Sequence, residues 1–217
     1  MNSCLQTLME SRLVILSRGI PQEKLIPALQ ACADAGVRIY ESTFDHTLAD
    51  PCEENIRKMK AIKRAMGDRM CVGAGTVLNL QEVHAAHEAG AEFVVSPGTD
   101  DAVVKEAKRL GMVVIPGAMT PTEIMRAWNL GADMVKVFPA DDLGMHYFQN
   151  LRGPLGHIPL MATGGVNPAT IPVLLGCGVS VVGTGVTVLR RDLIEQEDYA
   201  GIGTLARMHV DAVQLCR

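Results

Sequence analysis

The segment GADMVKVF (residues 131–138) places a glycine directly before a short apolar run, and this arrangement decides the fold class. Glycine accepts the left-handed backbone conformation that ends many helices, so it marks the end of a helix and the start of a strand. The same unit recurs at Gly36 before VRIYES, Gly90 before AEFVVSP, Gly111 before MVVIP and Gly178 before VSVVG. The chain therefore repeats a helix-then-strand unit.

Three further apolar runs bring the number of candidate strands to eight: LVILSR (13–18), MCVGAGT (70–76) and PLMATGG (159–165). They lack the polar alternation of a half-solvated sheet, as expected of parallel strands covered on both faces. Amphipathic stretches lie between them, for example residues 51–66 and 99–110. Eight such units favour a closed parallel (β/α)8 TIM barrel over an open doubly wound sheet. The open-sheet alternative also lacks the glycine-rich nucleotide loop, because GAG (73–75) is not GxGxxG.

The composition bounds the domain organisation and the partners. The 217 residues are 48% hydrophobic and 20% charged, enough apolar surface for one core, and we expect a single barrel domain over residues 1–217. Residues 1–11 are expected to form an extra N-terminal helix, and residues 198–217 a closing helix. The formal net charge is −4 and no basic block is present, which argues against nucleic acid as a partner.

The sequence also bears on location and on the cysteines. It has no apolar run of the roughly twenty residues that span a bilayer, and its first residues lack the pattern of a signal peptide. These features predict a cytoplasmic protein with no membrane partner. The six cysteines form no CxxC pair, which predicts reduced thiols rather than bridges or zinc ligands.

Two charged residues inside predicted strands are the first candidates for chemistry, because barrel enzymes place catalytic groups at the carboxyl ends of strands. Lys136 is a single ammonium inside an apolar run, and Glu41 shares the predicted inner face of its strand with Ile39 and Thr43. An amine removed from water can lose its proton and attack a ketone, and a nearby carboxyl group can move protons. The alternative is a buried ion pair with no catalytic role.

Glycine-rich loops follow the last two predicted strands. Thr163, Gly164 and Gly165 follow one of them, and Thr184 and Gly185 lie in GTG after the other. Exposed backbone N–H groups in such loops favour a phosphate or carboxylate, although TGG and GTG also occur in ordinary tight turns.

Acidic residues and a histidine near other strand ends offer a second kind of site. They are Asp45, His46, Asp141 and Asp142, which could collect a divalent ion. The six histidines of the chain show no HExxH pattern and no spacing that requires a metal.

The order of several short motifs is the most specific signal in the chain. They are Glu41, GAGTVL (73–78), SPG (96–98), IPGAMTPTE (115–123), KVFPA (136–140) and TGGV (163–166). In this order, over roughly residues 10 to 195, the chain resembles the KDPG/KHG aldolase family of class I aldolases. The resemblance implies a homotrimeric barrel lyase of carbohydrate metabolism that needs no cofactor or metal. Such an enzyme cleaves a 4-hydroxy-2-oxo acid, phosphorylated or not, into pyruvate and an aldehyde.

The resemblance also assigns roles residue by residue. Lys136 corresponds to the lysine that forms the Schiff base, and Glu41 to the general acid/base. Thr76 matches the threonine beside the pyruvate end of the substrate, and Pro97 lines the pocket. Thr163, Gly164 and Gly165 match the residues around the distal part of the substrate.

The chain departs from the family pattern in two places. An arginine that binds the pyruvyl carboxylate in well-known members is replaced here by Asp45, followed by His46. Arg18 resembles an arginine of other branches and is expected to supply the missing clamp. Gly185 stands where the family has serine, which leaves Thr184 or backbone amides as donors. These changes put phosphate recognition in doubt, and Asp45 with His46 would suit a hydroxyl-rich or cationic tail.

Two functions of other classes stay open at this point. A metal-dependent aldolase or epimerase on the same barrel would use Glu41, Asp45 and His46 as ligands. A non-catalytic homologue would bind a keto acid without turnover.

Overall fold

The computed structural model describes residues 3–216, which form nine parallel strands and eleven helices. The strands are β1 (Leu13–Ser17), β2 (Ile39–Thr43), β3 (Cys71–Gly75), β4 (Phe93–Val95), β5 (Val113–Ile115), β6 (Gly117–Ala118), β7 (Val135–Val137), β8 (Leu160–Thr163) and β9 (Val181–Thr184). The helices are α1 (Ser3–Ser11), α2 (Gln22–Asp34), α3 (Pro51–Met66), α4 (Leu80–Glu88), α5 (Asp101–Arg109), α6 (Pro121–Asn129), α7 (Ala140–Leu143), α8 (Met145–Leu155), α9 (Ile171–Gly176), α10 (Arg191–Glu195) and α11 (Tyr199–Gln214).

The strands form one parallel sheet in the order β5-β4-β3-β2-β1-β9-β8-β7-β6. Its two ends, β5 and β6, are consecutive in the chain and separated only by Pro116. Proline has no N–H to donate to a neighbouring strand, so the expected single strand after Gly111 is divided into two. The Pro116 carbonyl still accepts a hydrogen bond of 2.9 Å from Lys136 N. When β5 and β6 are counted as one interrupted strand, the sheet has eight parallel strands, which confirms the predicted parallel (β/α)8 TIM barrel.

The predicted helix ends and several helix starts have clear local causes. The glycines of the repeat all have a positive φ directly after a helix: Gly36, Gly90, Gly111, Gly131 and Gly178. Side chains cap the first turns of α3, α4, α5 and α11, where Asp50, Asn79, Asp100 and Asp198 accept backbone N–H groups. Helix α6 begins with a capping box between Thr120 and Glu123.

Side chains on the two faces of the strands form two separate clusters. The inner cluster fills the barrel and includes Val14, Ile39 and Phe93. The outer cluster lies between the sheet and the helices and includes Tyr40 and Val135.

Helices at the two ends of the chain lie where the sequence predicted them. Helix α1 contributes Cys4 and Leu8 to the inner cluster and so closes the amino-terminal end of the barrel. The predicted closing helix is α11; residues 1, 2 and 217 of the two predicted helices lie outside the described part. No helix within residues 3–216 is long and apolar enough to cross a membrane.

Candidate active site

Strand alternation points two charged side chains into the barrel. On β2, Ile39 belongs to the inner cluster and Tyr40 to the outer one, so Glu41 faces inward. On β7, Val135 and Val137 belong to the outer cluster, so Lys136 also faces inward. The barrel therefore brings Glu41 and Lys136 into one interior although 95 positions separate them in the sequence.

Glu41 is held in an unusual environment for a carboxyl group. Its residue is 1% exposed, and its Oε2 is buried with no hydrogen-bond partner among the described residues. The carboxyl group lies directly over Gly75, where a Cβ atom would collide with Oε1. Burial raises the pKa of Glu41, and the charges of Lys136 and Arg18 partly offset that rise. Glu41 therefore retains a proton to higher pH than an exposed glutamate, as suits a proton donor and acceptor.

Lys136 is buried in the same barrel interior. The residue is 7% exposed, and Nζ lies 4.9 Å from the centroid of the Phe138 ring. A cation over an aromatic face is stabilised by the ring quadrupole without being hydrated. Because Lys136 acts electrostatically on Glu41, the site combines an amine with a carboxyl group of perturbed pKa.

Arg18 and Thr76 lie together at the open end of the barrel. Arg18 follows β1, is exposed, and donates a hydrogen bond of 2.8 Å from Nη2 to Thr76 Oγ1. Thr76 has a φ of 59°, a left-handed conformation that costs a β-branched residue on the order of 1 kcal/mol or more. Such strain is typical of residues that a functional site holds in place.

Asp45 occupies the loop after β2 and is only half-buried. Its Oδ1 accepts hydrogen bonds from Thr47 Oγ1 at 2.7 Å and Thr47 N at 3.1 Å. These bonds lower the pKa of Asp45, with smaller contributions from Arg18 and Lys58. Asp45 is thus a negative charge near Arg18 at the mouth of the barrel.

His46 is engaged away from the barrel interior. Its Nε2 lies 2.8 Å from Oε1 of the buried Glu82, which also accepts from Leu78 N and Asn79 Nδ2. Glu41, Asp45 and His46 do not bring their ligand atoms together anywhere in the described structure, so the geometry does not favour the alternative metal-ligand set. Over residues 3–216, the atoms of one group, Cys4, Cys71 and Glu92, do lie within 4.8 Å of one another.

The Cys4 and Cys71 sulfurs are 2.8 Å apart at the amino-terminal end of the barrel. The sequence does not indicate this proximity, because the two cysteines are 67 positions apart and share no spacing motif.

The residues after β4 and β8 complete the mouth. Pro97 is exposed, and its backbone approaches Gly117 so closely that a Cβ at Gly117 would collide with it. Thr163 faces the interior, with a buried Oγ1 that has no hydrogen-bond partner among the described residues. A Cβ at Gly183 would lie 2.9 Å from that Oγ1, so the glycine leaves room for the Thr163 hydroxyl. Gly164 and Gly165 follow with positive φ values.

The structure places Thr184 on the outer face of the barrel, not in the lumen. Its Oγ1 lies 3.1 Å from the Val166 carbonyl and 2.7 Å from Thr187 Oγ1, so protein groups engage its hydroxyl. Next to it, a Cβ at Gly185 would collide with the Leu16 carbonyl. This contact gives a steric reason for glycine at position 185.

Two site features were not singled out from the sequence. Gly75 and Gly117 admit the Glu41 carboxyl group and the Pro97 backbone, respectively. Both glycines lie inside motifs of the resemblance, GAGTVL (73–78) and IPGAMTPTE (115–123). The motifs alone did not indicate which group each glycine accommodates.

Comparisons with known proteins agree with this geometry. The family model described as KDPG and KHG aldolase matches residues 6–205. KHG/KDPG aldolase of Escherichia coli K12 is 32% identical over 194 residues, covering 89% of this chain and 88% of that protein. The 2-dehydro-3-deoxy-6-phosphogalactonate aldolase of Escherichia coli K12 is 30% identical over 203 residues, covering 93% and 96%. A solved structure described as native KDPGal has a TM-score of 0.83 at 30% identity and covers 94% of this chain and 95% of that one. From its sequence and its barrel alike, the chain belongs to the KDPG and KHG aldolase family.

Proposed function

We propose that this protein is a class I aldolase that reversibly cleaves a 4-hydroxy-2-oxo acid into pyruvate and an aldehyde. One observation carries the proposal: a buried lysine and a buried carboxyl group of raised pKa share the barrel interior. An amine that forms an imine and an acid/base that moves protons are the two groups that such a reaction requires. Membership of an aldolase family supports the same reaction class.

In the proposed mechanism, the Lys136 nitrogen lone pair attacks the C2 ketone of the substrate. Glu41 protonates the carbonyl oxygen, and a carbinolamine results. Glu41, ionised by that transfer, takes the extra proton from the nitrogen and then gives it to the C2 hydroxyl group. Water leaves from C2, and an iminium forms between Lys136 and the substrate. The positively charged iminium accepts the electron pair that the next step releases.

Glu41, now ionised, removes the proton of the C4 hydroxyl group. The C3–C4 bond breaks, the aldehyde leaves, and the bond electrons form an enamine that neutralises the iminium. Protonation at C3 and addition of water at C2 then release pyruvate and restore the free amine. Because burial raises the pKa of Glu41, its carboxyl group keeps a proton to higher pH than an exposed glutamate, which suits a group that both donates and accepts a proton in these steps.

Recognition of the substrate carboxylate is assigned to Arg18. Its guanidinium group can bind a carboxylate through two hydrogen bonds, and Thr76 holds it at the mouth. Pro97 lines the pocket in this proposal, and the distal part of the substrate lies against Thr163, Gly164 and Gly165. Asp45 then faces a hydroxyl-rich or cationic tail.

Trapping with pyruvate and borohydride tests the imine directly. Borohydride reduces an iminium to a stable amine, so mass spectrometry should find the reduced pyruvate adduct on Lys136. Lys136→Ala should give no adduct and no turnover, whereas Lys105→Ala, on an exposed helix face, should retain both. Absence of the adduct from the unaltered protein, or full activity of Lys136→Ala, would refute the proposal.

A substrate panel separates this reaction from the two rivals. Pyruvate release is measured with 4-hydroxy-2-oxo acids that carry or lack a phosphate, before and after EDTA treatment. We expect turnover of at least one member and no effect of EDTA. Loss of activity with EDTA would favour the metal-dependent reaction, and imine formation without any turnover would favour a binding protein. The homotrimer that the resemblance implies is tested by analytical ultracentrifugation.

A further inference from the structure

His209 lies outside the barrel but is connected to its mouth by a chain of hydrogen bonds. The residue is on α11 and is 1% exposed. Its Nε2 lies 3.0 Å from Thr187 Oγ1, and Thr187 Oγ1 lies 2.7 Å from Thr184 Oγ1. Both hydroxyl groups lie within hydrogen-bond distance of the Val166 carbonyl, at 3.1 Å from Thr184 and 3.2 Å from Thr187. Val166 directly follows Gly164 and Gly165.

The direction of this chain follows from the two nitrogens of His209. Nδ1 lies 2.8 Å from the Leu205 carbonyl, which can only accept, so Nδ1 carries a hydrogen. Burial lowers the pKa of His209, so the ring is neutral near pH 7 and Nε2 is an acceptor. The Thr187 hydroxyl therefore donates to His209 Nε2, and its oxygen can accept from Thr184.

The hydrogen bonds from His209 reach two loops, one after β8 and one after β9, and both loops border the candidate active site. Gly164 and Gly165 come after the inward-facing Thr163, and Gly185 packs against the Leu16 carbonyl at the end of β1. Each threonine hydroxyl has one hydrogen, so four acceptors compete for two hydrogens: His209 Nε2, the Val166 carbonyl and the two threonine oxygens. When His209 takes the hydrogen of Thr187, only the hydrogen of Thr184 is left for the Val166 carbonyl and the Thr187 oxygen. The acceptor on α11 therefore determines how the two loops are held.

We propose that His209 is a positioning residue that, through Thr187 and Thr184, sets the loops after β8 and β9 and so the affinity for the distal part of the substrate. This inference rests on the proposed function, because it assigns these loops to the aldehyde-forming half of the substrate. In the proposed function the pyruvyl half lies against Lys136 on β7, Glu41 on β2 and Arg18 after β1, so its binding is expected not to change.

Two substitutions at one position separate the role of each ring nitrogen. His209→Gln can place a side-chain oxygen near the position of Nε2, whereas His209→Asn reaches only the Leu205 side. In the aldol direction, we expect His209→Asn and Thr187→Val to raise KM for the aldehyde about fivefold, the factor that one net hydrogen bond is worth. KM for pyruvate and the yield of the borohydride adduct should not change. His209→Gln and Thr187→Ser should stay within about twofold of the unaltered protein, because both restore the missing group.

Two further measurements guard against a purely structural effect. The double variant His209→Asn/Thr187→Val should be no worse than either single one, because both break the same chain. Thr204→Val, on an exposed part of α11, is the matched control and should behave as the unaltered protein. An unchanged KM for the aldehyde in His209→Asn, or an equal rise in KM for both substrates, would overturn the proposal.

Hydrogen exchange of the substrate-free protein tests the positioning independently of catalysis. His209→Asn should accelerate amide exchange in peptides that cover residues 163–168 and 184–189, and not in those that cover β2 and β7. This readout holds even if no aldol reaction or pyruvate adduct is found, in which case the proposed function fails and the positioning is judged by exchange alone. Uniform acceleration over the whole chain, or none in the two loops, would contradict it.

Discussion

Glu41 is a residue whose burial opposes folding once its carboxyl group ionises. Its carboxyl group is buried, one oxygen has no hydrogen-bond partner within the described residues, and its pKa is raised by burial. In the unfolded chain Glu41 ionises at its ordinary pKa, whereas the folded protein resists ionisation. Folding is therefore favoured by this group at low pH and disfavoured as pH rises through the folded pKa. A group whose ionisation opposes folding is typical of a site kept for function.

The first prediction concerns Glu41→Gln, which retains shape and removes the charge. The rate of cleavage should fall by about two to four orders of magnitude, the usual contribution of a general acid/base. The melting temperature at pH 8 should rise, because glutamine has no charge whose burial opposes folding. The gain should vanish near pH 4, where Glu41 is largely protonated in the unfolded chain as well. Glu53→Gln, at an exposed position on α3, should alter neither the rate nor this pH dependence. A rate near that of the unaltered protein would exclude Glu41 as the acid/base.

The second prediction concerns the carboxylate clamp. Arg18→Ala should raise KM for pyruvate in the aldol direction by about tenfold or more, since a hydrogen bond to a charged group contributes about 1.5–3 kcal/mol. Arg18→Lys should recover only part of the loss, because an ammonium cannot form the two-pronged contact. Arg64→Ala, an exposed arginine on α3, serves as the control. If KM is the same with and without the Arg18 side chain, another group binds the carboxylate.

At the scale of elements, strand β3 makes room for the site because it ends in a residue without a side chain, Gly75. Gly75 ends this strand under the Glu41 carboxyl group, and any side chain there would occupy the same space. On strand β7, the Lys136 backbone N–H donates a hydrogen bond to the Pro116 carbonyl between β5 and β6. This bond fixes the strand so that the Lys136 side chain faces inward. The interruption between β5 and β6 at Pro116 thus leaves the backbone hydrogen bond from Lys136 to the neighbouring strand segment intact.

The third prediction follows from this contact. Gly75→Ala should displace the Glu41 carboxyl group and reduce the rate by roughly the factor expected for Glu41→Gln, about two orders of magnitude or more. The matched control is Gly153→Ala, within α8, where a Cβ would meet nothing within 4 Å. Circular dichroism should show the same secondary structure for both variants. Equal activity of Gly75→Ala and Gly153→Ala would show that the carboxyl group need not lie over residue 75.

For the whole molecule, α11 joins the C-terminal part of the chain to the mouth of the barrel. His209 is buried on this helix and bonded to Leu205 and Thr187. Burial lowers the pKa of His209 below its ordinary value of 6.5. Below pH 6.5 the unfolded chain binds a proton that the folded protein resists, so the free energy of unfolding decreases as pH falls from 6.5 toward the folded pKa.

The fourth prediction compares urea unfolding at pH 8 and pH 5. The unaltered protein should lose more stability between these values than His209→Gln, which has no group that titrates there. His87→Gln, on the exposed surface of α4, should leave the difference unchanged. An identical loss in the unaltered protein and in His209→Gln would show that protonation of His209 is not linked to folding.

Much of the architecture was predictable because its signals are local. A glycine that ends a helix, an apolar run that forms a covered strand and a capping side chain each act within a few residues. The inward direction of Glu41 and Lys136 follows in the same way from strand alternation. The division at Pro116 was not anticipated, since the apolar run MVVIP indicates one strand and the proline acts on the neighbouring ladder.

The sequence by itself determined the barrel, the family and the two inward charged residues, because periodicity and the order of motifs are properties of the chain. The tertiary structure alone decided which distant groups meet: Glu41 over Gly75, Arg18 with Thr76, His46 with Glu82, and Thr184 with Thr187 and His209. It also placed the Thr184 hydroxyl on the outer face. Contacts of this kind depend on how strands and helices pack in three dimensions, and no spacing in the sequence encodes them.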